Sequence, residues 1–236
     1  MKINFMVILF FILFLPSLVM GADWKRDGSW NLGIQGVAGA YKSKGDVVLT
    51  FRSSAFPQFA VSETINATGD SDDTSGSHIY LGKFLNNWLS WTLSVTAVGA
   101  EDDVVFTASN GTTYQTKVEL AHIFISPLTF TFYPLRYLYL KFAPGVAIEA
   151  GSIKTEIPNM EKVDFAVVGG GVLYGIGLDY MLLSWFSLNV GFLGVSATTS
   201  EQEVVTNPGQ PIEFVVKAKE RKLNYNAFSV GVNFYF

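Results

Sequence analysis

The last ten residues, Ala227-Phe-Ser-Val-Gly-Val-Asn-Phe-Tyr-Phe236, decide how this chain folds. Bulky apolar residues occupy every second position: Phe228, Val230, Val232, Phe234 and Phe236. The positions between them hold mostly small or polar residues, namely Ala227, Ser229, Gly231, Asn233 and Tyr235. Because successive side chains of a β-strand point to opposite faces, this segment is a strand with one bulky apolar face and one smaller, more polar face.

The same alternation recurs in four upstream segments, 30–35, 91–97, 138–149 and 174–180. A soluble sandwich or lipocalin-like barrel would also alternate, but its second face would carry the Lys and Glu residues of a surface in water. Here the second face is rich in Gly, Ala, Ser and Thr instead. We therefore predict a membrane barrel whose bulky residues point outward into lipid and whose smaller residues line a narrow lumen.

Turn signals set the predicted number of strands. Short connections at 86–90, 134–136 and 181–184 are separated by long polar segments at 42–77, 101–116, 151–162 and 199–222. Short turns on one rim and long loops on the other are typical of outer-membrane barrels, in which the short turns face the periplasm. The chain is thus predicted to be an all-β, closed antiparallel barrel with eight strands at 29–41, 78–86, 91–100, 117–133, 137–150, 164–180, 186–198 and 223–236.

A possible extra hairpin and a predicted β-bulge affect the strands of this sheet. Val47–Phe51 and Phe59–Val61 also alternate, and as an extra hairpin within the sheet they would raise the count to ten. Both are short for the roughly 9–11 residues that a tilted strand needs to cross a bilayer, so eight strands are preferred. The apolar phase slips at Ser126-Pro127, which predicts a β-bulge.

The first twenty-two residues form a separate unit, 1–22, ahead of the predicted barrel domain, 23–236. Lys2 precedes an apolar run, Ile3–Leu15, which ends at Pro16 and is followed by small residues up to Ala22. This order is typical of a cleavable secretory signal peptide. The apolar run is about 13 residues long, shorter than the roughly 20 that a membrane-spanning helix requires.

Composition excludes several classes of function. The 236 residues carry 16 Lys and Arg against 20 Asp and Glu, a net charge of -4, and contain no basic stripe that could follow nucleic acid. There is no cysteine, which excludes disulfides, thiolate metal sites, cysteine nucleophiles and a lipid-modified cysteine.

Aromatic residues crowd the three short connections. Beside tight turns they are typical of the girdle that outer-membrane barrels place at the lipid headgroups, whereas in a soluble fold they would be core residues. The predicted interfacial girdle consists of Trp88, Trp91, Tyr133, Tyr137, Tyr180, Trp185 and Phe186.

With these features the chain resembles the small OmpA/OmpX/OmpW-like outer-membrane β-barrel proteins of Gram-negative bacteria, over the whole of residues 23–236. The most specific part of the resemblance is the last strand. Its residues Phe228, Val230, Val232, Phe234 and Phe236 look like the signal that the barrel-assembly machinery reads in such proteins. The resemblance implies an integral protein of the cell outer membrane, with membrane lipids and that machinery as partners.

Residues able to carry chemistry are sparse. The two histidines are His78, which begins a strand after a polar loop, and His122. His122 and Ser126 share a face but lie roughly 13 Å apart in an extended strand, beyond hydrogen-bond reach. The acidic segment Gly69–Gly76 lacks the glutamate that closes an EF-hand, since Leu81 stands there, and is expected to be a solvated loop. No catalytic residue, cofactor or metal site is predicted.

Three charged residues, Lys141, Glu149 and Asp179, fall on the lumen face, whereas the face of Lys83 is ambiguous. An unpaired charge in a confined interior is costly, so we expect a lumen charge network that closes the barrel or, alternatively, gates it. The expected function is a structural or surface-interaction role carried by the outer loops, whose ligand the sequence does not identify. A narrow channel for small solutes is the alternative, and a lipid-modifying enzyme is the least favoured.

Overall fold

The computed structural model describes residues 26–53, 60–66, 69–107, 113–155, 163–206 and 212–236. The predicted signal peptide, Met1–Ala22, lies outside these residues. The described chain is built of twelve strands: β1 (Trp30–Lys44), β2 (Asp46–Ser53), β3 (Ala60–Asn66), β4 (Gly69–Asn86), β5 (Leu89–Thr107), β6 (Thr113–Phe132), β7 (Leu138–Thr155), β8 (Val163–Leu183), β9 (Phe186–Thr199), β10 (Gln202–Thr206), β11 (Ile212–Ala218) and β12 (Arg221–Tyr235).

Eight of these strands close into an antiparallel barrel in the order β1-β12-β9-β8-β7-β6-β5-β4, with β4 pairing back onto β1. The predicted strand number is therefore confirmed. The three predicted short connections follow β4, β6 and β8, and β1 begins and β12 ends at the same rim. This rim is the periplasmic one, because bacterial barrels keep their short turns on that side.

The hairpins β2–β3 and β10–β11 lie outside the barrel. They pair with each other through β11 and β2, from Ala218 opposite Val47 to Ile212 opposite Ser53, and form a four-stranded sheet in the order β10-β11-β2-β3. The alternating residues 47–51 and the described part of the second segment, from residue 60 onward, do belong to a hairpin, but they add no strands to the barrel; Phe59 lies outside the described residues. The alternative of ten barrel strands was wrong because β1 and β4 pair directly.

Several barrel strands extend further than predicted at the rim opposite the short turns. Residues 69–77, interpreted as part of a loop, form the first half of β4 and pair with β1 and β5, for example Ser75 with Gly99. β5 likewise continues to Thr107, and β6 starts at Thr113. The β4 extension, Gly69–Ser77, contains no bulky apolar residue, so the apolar alternation that identifies a membrane strand is missing there.

The exposure of the side chains confirms the predicted membrane-barrel arrangement, in which bulky apolar residues face outward and smaller residues face the lumen. Outward side chains such as Leu93 (47% exposed) and Phe192 (64% exposed) alternate with fully buried inward ones such as Ser94 and Asn189. The predicted bulge is also confirmed, because the β6–β7 register shifts between Ile125 and Phe130. Ser126 Oγ stabilises it by donating to the carbonyl of Pro144 (2.8 Å).

A closed sheet with an apolar exterior satisfies its backbone hydrogen bonds within lipid, and the protein is an integral β-barrel of the cell outer membrane. Among the described residues, no helix is long and apolar enough to cross a membrane.

The lumen also holds large side chains, which the sequence did not predict. A Cβ atom at Gly33 would overlap the ring of Tyr80, and one at Gly177 would overlap the hydroxyl group of Tyr139. These glycines therefore make room for inward-pointing tyrosines in an eight-stranded interior that is only just wide enough for side chains.

Candidate functional site

The chemistry-bearing side chains of this protein are concentrated in the barrel lumen, at three levels. We call the level near the short turns the lower tier, the level around Lys141 the middle tier and the level around Glu149 the upper tier.

Asp179 on β8 is the centre of the lower tier. Its carboxylate is 1% exposed and accepts hydrogen bonds from the hydroxyl groups of Ser187 and Tyr235 and from Nδ2 of Asn233 (3.0 Å). A fourth donor is Nη2 of Arg26, at 3.3 Å. Four donors, one of them charged, satisfy the oxygen atoms of this buried side chain.

Arg26 enters the lower tier from the segment that precedes β1. Its backbone N–H donates to Oδ1 of Asn87 (3.1 Å), which ties this segment to the turn between β4 and β5. Its guanidinium group also donates to the carbonyl of Arg136 (3.0 Å) and lies 4.1 Å from the ring centre of Tyr133. Arg26 thus lies at the short-turn end of the lumen, where it makes an ion pair with Asp179 and a cation–π contact with Tyr133.

An aromatic cluster surrounds this ion pair and consists of Phe84, Tyr133, Tyr139, Met181 and Tyr235. The assignment of Tyr133 to the interfacial girdle was wrong, because its side chain is 6% exposed and lies inside the barrel. The bulge at Ser126-Pro127 explains the error. It changes which residues of β6 face inward, from even-numbered ones such as Phe124 to odd-numbered ones such as Thr131 and Tyr133.

Lys141 of β7 and His78 of β4 form the middle tier, and both are buried. Lys141 Nζ lies 3.2 Å from His78 Nε2 and 3.9 Å from the ring centre of Tyr80, while His78 Nδ1 lies 2.8 Å from Oγ1 of Thr96. Since an ammonium group can only donate, His78 Nε2 accepts and Nδ1–H donates to Thr96. The interpretation of His78 as the start of a strand after a loop was wrong, because it lies within β4 and faces the lumen.

Glu149 of β7 and Arg221 of β12 form the ion pair of the upper tier. Both are buried, and Arg221 Nε donates to Oε2 of Glu149 at 3.0 Å. The hydroxyl group of Tyr41 is 3.5 Å from Oε1 of the same carboxylate, at the limit of a hydrogen bond. Among the described residues, the upper carboxylate therefore accepts from one strong charged donor and one weak donor.

A small cavity of about 30 Å³, enough for about two water molecules, lies on the inner side of this ion pair. His122 lines it, half-buried, with its ring stacked on Tyr41 at 4.2 Å between centroids. Both ring nitrogens of His122 are enclosed, as is the hydroxyl group of Tyr225, and none of these atoms has a hydrogen-bond partner among the described residues. The other lining side chains are almost entirely apolar.

The predicted lumen charges Lys141, Glu149 and Asp179 are therefore all inside the barrel, but they do not form one network. Each belongs to a different tier and contacts its own partner: His78 for Lys141, Arg221 for Glu149 and Arg26 for Asp179. Lys83 lies on the exposed outer face. Sequence reasoning missed Arg26 and Arg221 because both precede an alternating segment, where the pattern assigns no face.

The remaining residues of the predicted girdle lie near the short-turn rim. Trp88 and Trp185 are about half exposed, at 50% and 52%. The others, Trp91, Tyr137, Tyr180 and Phe186, are partly exposed. Their binding to lipid headgroups remains a prediction.

The apolar residues of the predicted assembly signal lie on the outer face of β12. Phe228, Val230 and Phe236 are exposed, while Val232 and Phe234 are partly covered by neighbouring strands. The backbone of Phe236 pairs with that of Trp30, which closes the seam between the first and last strands. Recognition by the assembly machinery remains a prediction.

Within the described ranges, no group of three His, Asp or Glu side chains is placed to hold a metal ion.

No family model and no curated protein matches the sequence.

Among solved structures, the chain is similar to the outer membrane protease OmpT from Escherichia coli, at 9% identity and a TM-score of 0.45, covering 91% of this chain and 99% of that one. It is also similar to the outer membrane protein OprG from Pseudomonas aeruginosa (10% identity, TM-score 0.40, 89% and 97% coverage). A third similar structure is the attachment invasion locus protein Ail of Yersinia pestis (9% identity, TM-score 0.36, 86% and 99% coverage). These similarities are distant, and the architecture described above rests on the strand pairing of this chain.

Proposed function

We propose that this outer-membrane barrel is a closed anchor that presents the four-stranded sheet β10-β11-β2-β3 at the cell surface for interaction with an external partner. The observation that carries the proposal is the pairing of β11 with β2, which joins two separate connections of the barrel into one sheet beyond the rim opposite the short turns.

A connection between adjacent strands needs only a tight turn, as the three periplasmic connections of this barrel demonstrate. The segments between β1 and β4 and between β9 and β12 instead each form a hairpin. An isolated two-stranded hairpin is marginally stable in water, whereas four paired strands support one another. Loops that are built in this way on a rigid scaffold are where binding functions are usually found.

Surface ion pairs add to the polar character of this region. Lys217 on β11 contacts Glu201, and Lys117 on β6 contacts Glu101 at 2.7 Å, with both side chains of each pair substantially exposed. The hydrogen bond from Lys217 to Glu201 raises the pKa of the Lys217 ammonium group. Exposed pairs of this kind contribute little to stability, and they leave charged groups available to a partner.

The contents of the lumen support the closed-anchor part of the proposal. Arg26 and the aromatic cluster obstruct the lower tier, Lys141 and Tyr80 the middle tier, and the Glu149–Arg221 pair the upper tier. Ion flow would require displacing buried ion pairs that hydrogen bonds hold in place, which is energetically costly.

The histidine environments also favour a non-enzymatic role. His78 is engaged by Lys141 and Thr96, and the Ser126 hydroxyl group donates to a backbone carbonyl. Hydrolysis would instead need a base that can take the proton of a neighbouring hydroxyl group, whereas His78 Nδ1–H donates to the hydroxyl group of Thr96.

Surface presentation can be tested with single cysteines, because the sequence contains none. Ser62→Cys in β3 and Gln202→Cys in β10 place a thiol at exposed positions of the sheet, and Asp27→Cys places one at the exposed short-turn rim. In intact cells, a membrane-impermeant maleimide should label the first two and not the third, with all three labelled after lysis. Labelling of Asp27→Cys alone would invert the orientation and overturn the proposal.

Closure of the lumen can be tested in planar bilayers. The purified, heat-modifiable barrel should give no steady unitary current. A reproducible unitary conductance would support the alternative function, a narrow channel for small solutes, and would contradict the closed-anchor part of the proposal.

A further inference from the structure

Three exposed lysines lie on the outer face of the barrel where β1 pairs with β12, near the rim opposite the short turns. They are Lys42 and Lys44 of β1 and Lys222 of β12. They point away from the lumen, because the residues that alternate with them, such as Tyr41 and Leu223, are buried inside the barrel. We call these three residues the outer lysine cluster.

The spacing within the outer lysine cluster is unfavourable for the protein alone. Lys44 is directly opposite Lys222 in the strand register. Residues in this position have Cβ atoms about 5 Å apart, and like charges there repel each other. Lys42 is the diagonal neighbour of Lys222, at roughly 7–8 Å, which adds a third positive charge to the same face.

Two acidic residues lie close to the cluster in the chain or in the sheet. Asp70 of β4 is opposite Lys42, and the exposed Glu220 comes two residues before Lys222. Among the described residues, however, neither Lys44 nor Lys222 forms an ion pair. These two ammonium groups are therefore available to an anion that does not belong to the protein.

Uncharged hydrogen-bond donors adjoin the lysines on the same face. Asn224 is the next outward residue of β12 after Lys222, and β9 places Thr198 opposite Lys222 and Ser196 opposite Asn224. All of these side chains are exposed. Ammonium, amide and hydroxyl groups can all donate hydrogen bonds, and a phosphate group accepts several at once. The set of side chains therefore fits a phosphate group.

The height of the cluster corresponds to a layer of lipid headgroups. Strand β1 rises from Trp30 at the short-turn rim to Lys44. At about 3.3 Å per residue and a tilt of about 40°, Lys42 and Lys44 are roughly 30 and 35 Å above Trp30. The apolar band of such barrels is about 25 Å tall, and lysine side chains reach the polar edge of such a band. The cluster therefore lies at the level of the headgroups of the outer leaflet.

The outer face below the lysines changes from polar to apolar. The hydroxyl group of Tyr174 on β8 donates to Oδ1 of Asn226 on β12 at 3.0 Å. One step further toward the short turns are Phe192 and Phe228, which are 64% and 46% exposed and have ring centroids 5.6 Å apart. Tyrosines of outer-membrane barrels lie at the boundary between headgroups and acyl chains. A ligand that fits the whole surface therefore combines a phosphate group with acyl chains.

We propose that the outer lysine cluster is a binding site for the phosphate group of an outer-leaflet lipid, whose acyl chains lie against Phe192 and Phe228. Lys44 and Lys222 supply the charge that attracts the phosphate group. The bound lipid bridges the first and last strands and offsets the repulsion between these lysines, where the barrel closes. The site is outside the lumen and does not depend on a partner of the outer sheet.

Native mass spectrometry of the folded barrel, released from detergent micelles, measures the binding of single lipids. Didecanoyl phosphatidic acid is the probe, and didecanoylglycerol has the same chains without the phosphate group. The wild type should bind phosphatidic acid more tightly. Lys44→Gln and Lys222→Gln should each weaken this binding about fivefold and leave the binding of didecanoylglycerol unchanged. Neither variant should harm folding, because each removes one of two opposed like charges.

Lys83→Gln is the matched control for the loss of one charge. Lys83 is also exposed on the outer face, but it is opposite Trp30 near the short-turn rim. This variant should bind phosphatidic acid like the wild type. The proposal is overturned if Lys83→Gln weakens the binding as much as Lys222→Gln does, since any surface charge would then suffice. It is also overturned if the wild type binds didecanoylglycerol as tightly as phosphatidic acid.

Inorganic phosphate distinguishes a lipid headgroup from a free anion. Because it has no acyl chains to contact Phe192 and Phe228, it should compete poorly with phosphatidic acid at equal concentration. Equal competition would identify a site for free phosphate and would contradict the binding of a lipid.

Discussion

The lower and upper tiers of the lumen each contain one arginine and one carboxylate, and they differ in how the surrounding side chains enclose that pair. Asp179 accepts hydrogen bonds from four side chains and lies among packed aromatic rings. Glu149 has Arg221 and a distant Tyr41 hydroxyl group, beside a cavity. Among the described residues, the lower carboxylate therefore has more hydrogen-bond donors and closer packing around it than the upper one.

This difference follows from the residues around each pair. Tyr133, Tyr139 and Tyr235 supply both apolar surface and hydroxyl groups to the lower tier. In the upper tier, Ala147 and Ala197 occupy inward positions and leave space. A buried ion pair is favourable only where further hydrogen bonds complete it, so the two ends should respond differently to substitution.

Asp179→Ala should have the largest effect. It removes the carboxylate that pairs with the buried guanidinium group of Arg26 and that accepts from three other donors. We expect a loss of about 4 kcal/mol in the free energy of unfolding, as for other broken buried pairs. Urea titration in lipid vesicles, followed by heat-modifiable gel mobility, measures it.

Glu149→Ala is the matched change in the upper tier and should cost about 2 kcal/mol, because the neighbouring cavity lets Arg221 find water. If this variant is as unstable as Asp179→Ala, the two ends do not differ in rigidity and the comparison fails.

Arg26→Ala tests the ion pair of the lower tier by removing the cation instead of the carboxylate. It removes the cation–π contact with Tyr133 and one of the four donors to Asp179, while three uncharged donors remain. We expect a loss of about 2 kcal/mol in the free energy of unfolding, measured in the same titration. Arg26→Lys should recover only part of the loss, since an ammonium group cannot both stack on a ring and donate as a planar fork. Full recovery by lysine would mean that charge alone matters.

A pair of small-to-large substitutions on one strand compares packing directly. Ala143 and Ala147 both point inward from β7, at 0% and 4% exposure. Ala143→Leu should cost about 2 kcal/mol through overpacking, whereas Ala147→Leu extends into the cavity and should change the free energy of unfolding by less than about 1 kcal/mol. Equal costs at the two positions would show that the cavity cannot accept a side chain.

The smallest effect is expected outside the barrel. Lys217→Ala removes an exposed pair with Glu201, and the unfolding midpoint at neutral pH should not change measurably. The raised pKa of Lys217 means that any contribution from this pair is complete below its ordinary pKa of 10.5 and is lost as the pH rises through the higher value of the folded state. A midpoint that falls at neutral pH would indicate that the pair holds the sheet together.

The directions of side chains could be predicted from the sequence only where apolar and polar residues alternate without interruption. The alternation over residues 227–236 correctly separated outward-facing Phe228 and Val230 from inward-facing Ser229 and Asn233. The same reasoning failed for Tyr133, because the consequence of the bulge seven residues earlier has to be followed along the strand. It also failed for the first half of β4, since a polar strand above the membrane has no apolar face to reveal it.

The sequence by itself determined the strand number, the side on which the short turns lie and the direction in which most side chains point. These properties follow from local alternation and from turn residues, which act over a few positions of the chain. Only the tertiary structure decided the partners of the lumen charges, the pairing of the two outer hairpins and the cavity between His122 and Tyr225. Those contacts join residues far apart in sequence, such as Arg221 and Glu149, and depend on how a closed barrel staggers its strands.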